Sequence, residues 1–343
     1  MQRDEDADPD KRAAHWKHRQ SHIVTSDPCQ HAESLPAWSQ EYLQLEAGPF
    51  FGEIKESTFG PVQVFQETID QVIDEKANPR RDSYTVGIPV RVTENGRWQG
   101  HELSDRSVMI LKPNEELHFK TPKHSNILVT VITCCALDAI AEGDGFGSAD
   151  DLFQRPHVVE VGDDIASNFR AALFNALSVS QNNPGLLEHE AVRNDLSDSV
   201  MHSVFATLTQ VGDFGKRLSN GQSVQRSIVE RARTYILANR QRALSVAELC
   251  EHLRMSRRGV HHAFMNVLGV NPVTFLRYVR LHEVRKALLD PGCRESISTV
   301  AANWGFWHMG MFGQYYKQLF HETPSDTTKR IRGPLDSMSR FRS

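Results

Sequence analysis

Arg257, Arg258, His261, His262 and Met265 are the residues of this chain best placed to do chemistry on a partner. Arg258, His261, His262 and Met265 are separated by 3, 1 and 3 positions, so in a helix they share one face. Val260, Ala263 and Phe264 then fall on the other side, as an inward stripe. An arginine can bond guanine O6 and N7 with both arms, or neutralise a phosphate, and a histidine can donate to either. A second group has the same character: Trp307, His308, Met309, Gly310, Met311, Gln314 and Lys317. Phe312, Tyr316 and Leu319 would pack inward, leaving His308, Met311 and Gln314 outward and Lys317 in reach of a phosphate. Gly310 and Gly313 are poor helix formers, which would either let the backbone approach a partner closely or mark a weak helix end.

These groups need rigid supports, and the flanking residues predict them. A helix over Val224–Asn239 has the inward stripe Ile228, Ala232, Tyr235 and Ile236. Ser245-Val246-Ala247-Glu248 is a capping box, in which hydroxyl and carboxylate satisfy free amides at a helix start. Leu249, Cys250 and Leu253 make that short helix amphipathic, Met255 turns the chain, and Ser256 caps the helix that carries Arg257 and Arg258. Two short helices, a tight turn between them and arginines opening the second predict a helix-turn-helix, which lays its second helix in a major groove. Asn271-Pro272 starts a longer helix that runs to about Leu289 and stops at Asp290-Pro291-Gly292. Its eighteen residues span roughly 27 Å. Beyond it Ser298 is expected to cap Val300–Trp304, Gly305 to end that helix in the left-handed region, and Phe306 to plug the core before the helix beginning at Trp307.

Charge separates the two halves of the chain. Residues 226–343 hold 19 Lys and Arg against 9 Asp and Glu, whereas residues 1–225 hold 20 against 34. A basic module suits phosphate polyanions and an acidic one does not, so duplex DNA is the expected partner of the C-terminal third.

The N-terminal half is predicted to be β-rich. Tyr84, Val86, Ile88, Val90 and Val92 alternate as in a half-buried strand, and Asn95-Gly96 offers a hairpin turn. Further strands are expected at Val62 and Val64, Val108–Leu111, Leu117 and Phe119, and Ile127–Ile132, which suggests a small sandwich or barrel whose pocket Trp98, Phe119 and Tyr84 could line. Two helices follow. Ile165, Phe169, Ala172, Leu173, Ala176 and Leu177 mark the first. The second spans Leu187–Val211, and its seam of Val192, Leu196, Val200, Val204 and Leu208 would pair two subunits or pack on the domain itself. The fold class is therefore α+β: a β-rich sensor and dimerisation domain at 34–215, a linker at 216–223, an all-α domain with two helix-turn-helix units at 224–330, and tails at 1–33 and 331–343. The first tail reads as disordered, with His15, His18, His22 and His31 as solvated side chains.

Other classes fit less well. No run approaches the ~18 apolar residues of a membrane helix, and the first residues lack the apolar stretch of a secretory signal, so a cytoplasmic protein is expected. Cys29, Cys134, Cys135, Cys250 and Cys293 lack the spacing of a zinc site. A metal-dependent cupin enzyme usually carries an HxH pair, and here His101, His118 and His124 stand apart. No cofactor, metal or catalytic residue is predicted.

The C-terminal arrangement resembles the AraC/XylS family of transcriptional regulators over about residues 225–330. Its most specific parts are Ala301-Ala302-Asn303-Trp304-Gly305-Phe306-Trp307-His308 and Phe320-His321-Glu322-Thr323-Pro324-Ser325. The resemblance implies DNA reading at Arg258, His261 and His262, and at Met309, Gly310 and Gln314, where many relatives carry polar or basic groups. It also implies a cupin-like sensor, a homodimer, contact with RNA polymerase and an effector-responsive activator of a catabolic operon. Within the family, Phe306–Gly310, Gln63-Val64-Phe65 and Gly87-Ile88-Pro89 are similar to regulators of ethanolamine-utilisation operons, which implies ethanolamine and adenosylcobalamin as candidate effectors. A DNA-bound interaction protein without an effector is the alternative.

Overall fold

A computed structural model describes residues 18–35, 37–94, 96–143, 148–210, 220–239, 242 and 244–332. Asn95 of the expected hairpin, residues 216–219 of the expected linker and most of the C-terminal tail lie outside these. The chain divides into two compact units.

Within the described residues the strands are β1 (Arg19–Thr25), β2 (Ser39–Gln44), β3 (Gly52–Phe59), β4 (Val62–Ile69), β5 (Ile73–Asn78), β6 (Ser83–Arg91), β7 (Arg97–Trp98), β8 (His101–Glu102), β9 (Ser107–Leu111), β10 (Leu117–Lys120), β11 (Ser125–Thr133) and β12 (Val158–Glu160). They form a seven-stranded sheet in the order β1-β3-β4-β11-β6-β9-β12 and a five-stranded sheet in the order β2-β5-β10-β7-β8. The helices of the first unit are α1 (Pro28–Ala32), α2 (Cys134–Gly143), α3 (Ala149–Phe153), α4 (Asp163–Asn182) and α5 (Glu190–Thr209).

Strand β6 differs from the half-buried expectation, because it is buried on both faces from Ser83 to Pro89. Tyr84, Val86 and Ile88 pack with Phe169, Leu173, Val200, Val204 and Leu208 of α4 and α5. The other face of the large sheet meets the small sheet through Ile54, Phe65, Met109 and Val129 against Trp98 and Phe119. Gly87 lies on that face, where a Cβ would come within 2.9 Å of Met109. Trp98 and Phe119 meet tilted at 58°, with centroids 5.4 Å apart, whereas Tyr84 sits in the helical-side core against Phe153. The three aromatics therefore do not line one pocket. In α5 the apolar seam is spent on its own unit: Val200, Val204 and Leu208 are fully buried in that core, and the exposed positions are polar or small, such as Asn194, Asp195, Asp198 and His202. That stripe offers no seam to a second subunit.

Residues 18–33 correct the disordered-tail expectation. Strand β1 pairs antiparallel with β3 from Arg19↔Thr58 to Thr25↔Gly52. As an edge strand it is held by backbone bonds and needs no apolar alternation, so its polar sequence conceals it. Asp27 caps α1, accepting from the amides of Cys29 at 2.8 Å and Gln30 at 3.2 Å. His31 is fully buried between Thr25 and Glu67, and its ring fills the space over Gly52, where a Cβ would lie 2.5 Å away. His22 meets Glu53 at 2.7 Å and His18 meets Glu188 at 3.4 Å. These three histidines are partnered.

The second unit comprises Tyr42–Phe50, Gln71–Asp74 and the chain from Leu218 onward. Two short segments expected in the first domain thus belong here. Leu45 and Val72 are buried in the apolar cluster of Ile228, Ala232 and Phe264, and Asp74 pairs with buried Arg233 at 2.9 Å. The described helices are α6 (Asn220–Ala238), α7 (Val246–Leu253), α8 (Arg257–Leu268), α9 (Pro272–Leu289), α10 (Ile297–Asn303), α11 (Met309–Phe320) and α12 (Pro324–Arg332). Asn220–Ser223, read from composition as linker, form the first turn of α6. Tyr235 is half-buried, stacked on His252 at 3.8 Å. Helix α9 serves two cores: Phe275, Leu276 and Val279 join the first, and Leu281, Val284 and Leu288 join Phe312, Tyr316 and Leu319 in the second.

Candidate nucleic-acid interface

The first helix pair is α7 and α8. Ser245 accepts from the Glu248 amide at 3.2 Å while the Ser245 amide donates to the Glu248 carboxylate at 2.8 Å, which closes the capping box. Arg254 ends α7 in the left-handed region at φ 53°. Ser256 caps α8 by accepting from Gly259 at 3.2 Å. A Cβ on Gly259 would stand 3.0 Å from Met255 Cε, so the glycine makes room for the turn residue. The Arg242 guanidinium, then the amide and hydroxyl of Ser245, hold the Glu248 carboxyl down to about 2. A carboxyl lowered on folding stabilises above its unfolded value, and that contribution is lost as pH falls through its folded value. The Glu248 carboxyl carbon is therefore expected to titrate near pH 2 by NMR, with Arg242→Ala shifting it upward. A midpoint in the ordinary carboxylate range in the native chain would refute the assignment.

Arg257, Arg258, His261, His262 and Met265 are all exposed on α8, and Val260, Ala263 and Phe264 are buried behind them. Phe264 meets Phe275 edge-to-face at 5.3 Å, which fastens α8 to α9. His262 is oriented by two residues that the sequence reading overlooked. Gln225 Nε2 lies 3.2 Å from His262 Nδ1, and Asn266 Nδ2 donates to Gln225 Oε1 at 3.1 Å. Asn266 was findable, four positions after His262 on the same face. Gln225 carries no such signal, because only the packing of α6 on α8 brings it there.

The second pair is α10 and α11. Its first cap is Ser296, which accepts from the Thr299 amide at 3.1 Å. Ser298, the expected cap, lies inside α10, with its hydroxyl 2.9 Å from that of Ser296. Gly305 takes φ 79° and the amide of Phe306 returns to the Ala301 carbonyl at 3.0 Å, closing the helix. Trp307 and His308 belong to the turn, and α11 begins at Met309. Phe306 packs on Phe312 at 5.2 Å, and the Arg277 guanidinium lies 4.2 Å over Tyr315. All seven expected residues, Trp307, His308, Met309, Gly310, Met311, Gln314 and Lys317, are exposed.

Behind this surface Arg285 is 2% exposed. It pairs with Glu322 at 2.8 Å and lies 4.4 Å over the Phe320 ring. Glu322 also accepts from Thr327 at 2.5 Å, so one carboxylate ties α9 to the start of α12. Removing one member of a buried pair strands the other charge. Glu322→Ala is expected to cost about 2–4 kcal/mol in urea denaturation, with Glu322→Gln intermediate. A loss below about 0.5 kcal/mol would show that the pair contributes little to stability.

A helix-turn-helix domain family matches residues 249–330, a span that holds nearly all of the first pair and the whole of the second. The probable thc operon regulatory protein of Rhodococcus erythropolis is 28% identical over 292 residues, covering 80% of this chain and 84% of that protein. A probable AraC family transcriptional regulator from Rhodopseudomonas palustris, of known structure, is 31% identical, covering 31% of this chain and 98% of that one, with a TM-score of 0.30. The chain is thus similar to DNA-binding transcriptional regulators, and residues 249–330 match the helix-turn-helix domain model. The XylDLEGF operon transcriptional activator of Pseudomonas putida is 34% identical over 104 residues, 30% of this chain and 32% of that protein. The likeness to the R. erythropolis regulator extends beyond the helices into the β-rich half. In that half burial, then Asp138, pushes the Cys134 thiol up to about 11, the reverse of what thiolate chemistry would need.

Proposed function

We propose that this regulator is an effector-responsive activator of a catabolic operon, in which α7–α8 and α10–α11 act as two helix-turn-helix units. One observation carries the reading. Each helix pair holds an exposed row of polar or polarisable side chains on one face and rests on its own apolar core on the other. Helix α9 extends roughly 27 Å between the two cores, a scale that suits successive major grooves about 34 Å apart. The name of the P. putida relative supports activation, and the names of both relatives support an operon target. The β-rich unit is the cupin-like sensor in this reading, the active form is a homodimer on two repeated sites, and RNA polymerase is its downstream partner. Control requires an effector that binds one arrangement better than the other.

Footprinting of the full-length chain on its own gene neighbourhood tests this, with candidate metabolites added and in vitro transcription in parallel. Ethanolamine and adenosylcobalamin are included because the resemblance of Phe306–Gly310 to regulators of ethanolamine-utilisation operons implies them. The expected result is protection of two groove turns per subunit, sedimentation as a dimer and metabolite-dependent transcription. Protection that no metabolite alters would favour a DNA-bound interaction protein, and no sequence-specific protection would refute the reading. In this scheme Lys317 neutralises a phosphate. Lys317→Ala is expected to weaken all duplexes alike and to reduce the slope of log affinity against log salt by about 1. A sequence-dependent loss would instead place Lys317 on a base.

A further inference from the structure

The two helix pairs present different chemistries to a groove. The first offers Arg257 and Arg258, which suit guanine. The second carries no arginine in α10 or α11, and those of α9 that touch it are already engaged, Arg277 over Tyr315 and Arg285 buried. The turn before α11 and its first residues expose large apolar groups: Trp307 at 78%, Met311 at 47% and Met309 at 39%. Exposed apolar side chains of this size at the start of a helix are costly in water unless a partner covers them. Two further features say what covers them. Gly310 and Gly313 have open space where a Cβ would be, so the strip beside Met311 and Gln314 is bare backbone. Lys317, one turn beyond Gln314, is exposed and cationic, so the apolar strip borders a phosphate-seeking group. The only apolar group that base pairs display in the major groove is the thymine C5-methyl, and a glutamine bonds adenine N6 and N7 bidentately. Met311 and Gln314 lie three positions apart, on one face.

We propose that the second helix pair reads A·T base pairs, with Trp307 and Met311 covering thymine methyl groups and Gln314 bonding the adenine edge. The proposal rests on the two-unit reading above and adds its base preference. It implies an asymmetric subsite, with guanine under α8 and an A·T-rich segment under α11. Paucity of arginine on this face is then a change of base class rather than a loss of reading.

The test is a selection of duplexes by the full-length chain from a random-sequence library, followed by methyl deletion. In the enriched duplex, uracil replaces thymine within the segment opposite the second helix pair, which removes the methyl and leaves base pairing intact. Affinity is expected to fall roughly fourfold per contacted methyl. The combined Trp307→Ala and Met311→Ala variant should bind the thymine and uracil duplexes equally, and Gln314→Ala should relax the preference for adenine while leaving the uracil effect in place. Both substituted apolar residues are exposed, and the uracil effect on the native chain is read without any variant. Enriched duplexes carrying G·C pairs in that segment, or a uracil duplex bound as tightly as the thymine one, would overturn the proposal while leaving a two-unit DNA reader in place. A library with no enriched duplex would overturn the two-unit reading as well, and so is distinguishable.

Discussion

Phe264→Ala is expected to lower the stability of the second unit by about 3–5 kcal/mol, the range for truncating a buried aromatic. Phe264 is fully buried. It touches Phe275 edge-to-face and lies in one cluster with Ile228, Leu249, Val260 and Leu276, so it joins α6, α7, α8 and α9. Its removal opens a cavity that four helices would have to close together, and their caps at Ser245, Ser256 and Asn271 resist sliding. Urea denaturation followed by circular dichroism reads the loss. Phe264→Leu, which keeps most of the apolar contact, is expected to lose on the order of 1–2 kcal/mol. Because His261, His262 and Met265 flank Phe264 on α8, DNA affinity should fall with the folded fraction and recover at low temperature. A stability loss below about 1 kcal/mol would mean that α8 is held by other contacts.

Arg258→Ala is expected to reduce affinity for the selected duplex by about 5- to 150-fold, equivalent to the 1–3 kcal/mol of a bidentate base contact. Non-specific duplex should lose much less. Arg258 is exposed in the first turn of α8, beside the Ser256 cap, where groove-reading side chains concentrate. Its neighbour Arg257 is exposed too. The contrast between the two variants separates base reading from phosphate contact: a phosphate contact lowers specific and non-specific affinity in proportion and flattens the salt slope. A proportional loss for Arg258→Ala would move the base-reading role to His261 or His262.

The N-terminal half was less legible than the C-terminal one. Alternation identified β6, but period alone does not say how many faces are covered, and the second sheet buries Thr85 and Gly87 as completely as the helices bury Tyr84 and Val86. The apolar spacing of α5 was read correctly as a seam. Its partner was undetermined, since Val200, Val204 and Leu208 would look the same against a sister subunit or against their own sheet. Strand β1 was invisible for a stronger reason: an edge strand is paid for in backbone hydrogen bonds to β3, which every residue type can make.

Local signals determined most of the DNA-binding module. A capping serine, a proline at the first helical position and a glycine in the left-handed region each act within about four residues, so Ser245, Ser256, Asn271-Pro272 and Gly305 mark helix ends without reference to the rest of the chain. Helical spacing likewise determined which side of α8 faces outward. Where two serines compete, as Ser296 and Ser298 do, the geometry of the preceding turn chooses, and the start of α11 at Met309 rather than Trp307 depends on how Phe306 packs on Phe312. Only tertiary structure could bring Gln225 to His262, put Arg285 under Phe320 with Glu322, or enlist Leu45 and Val72 in a core whose other members begin at Ile228. Gln225 and His262 stand 37 positions apart, and Arg233 and Asp74, which also pair in this unit, stand 159 apart. No periodicity in a sequence encodes a distance that the chain crosses through space.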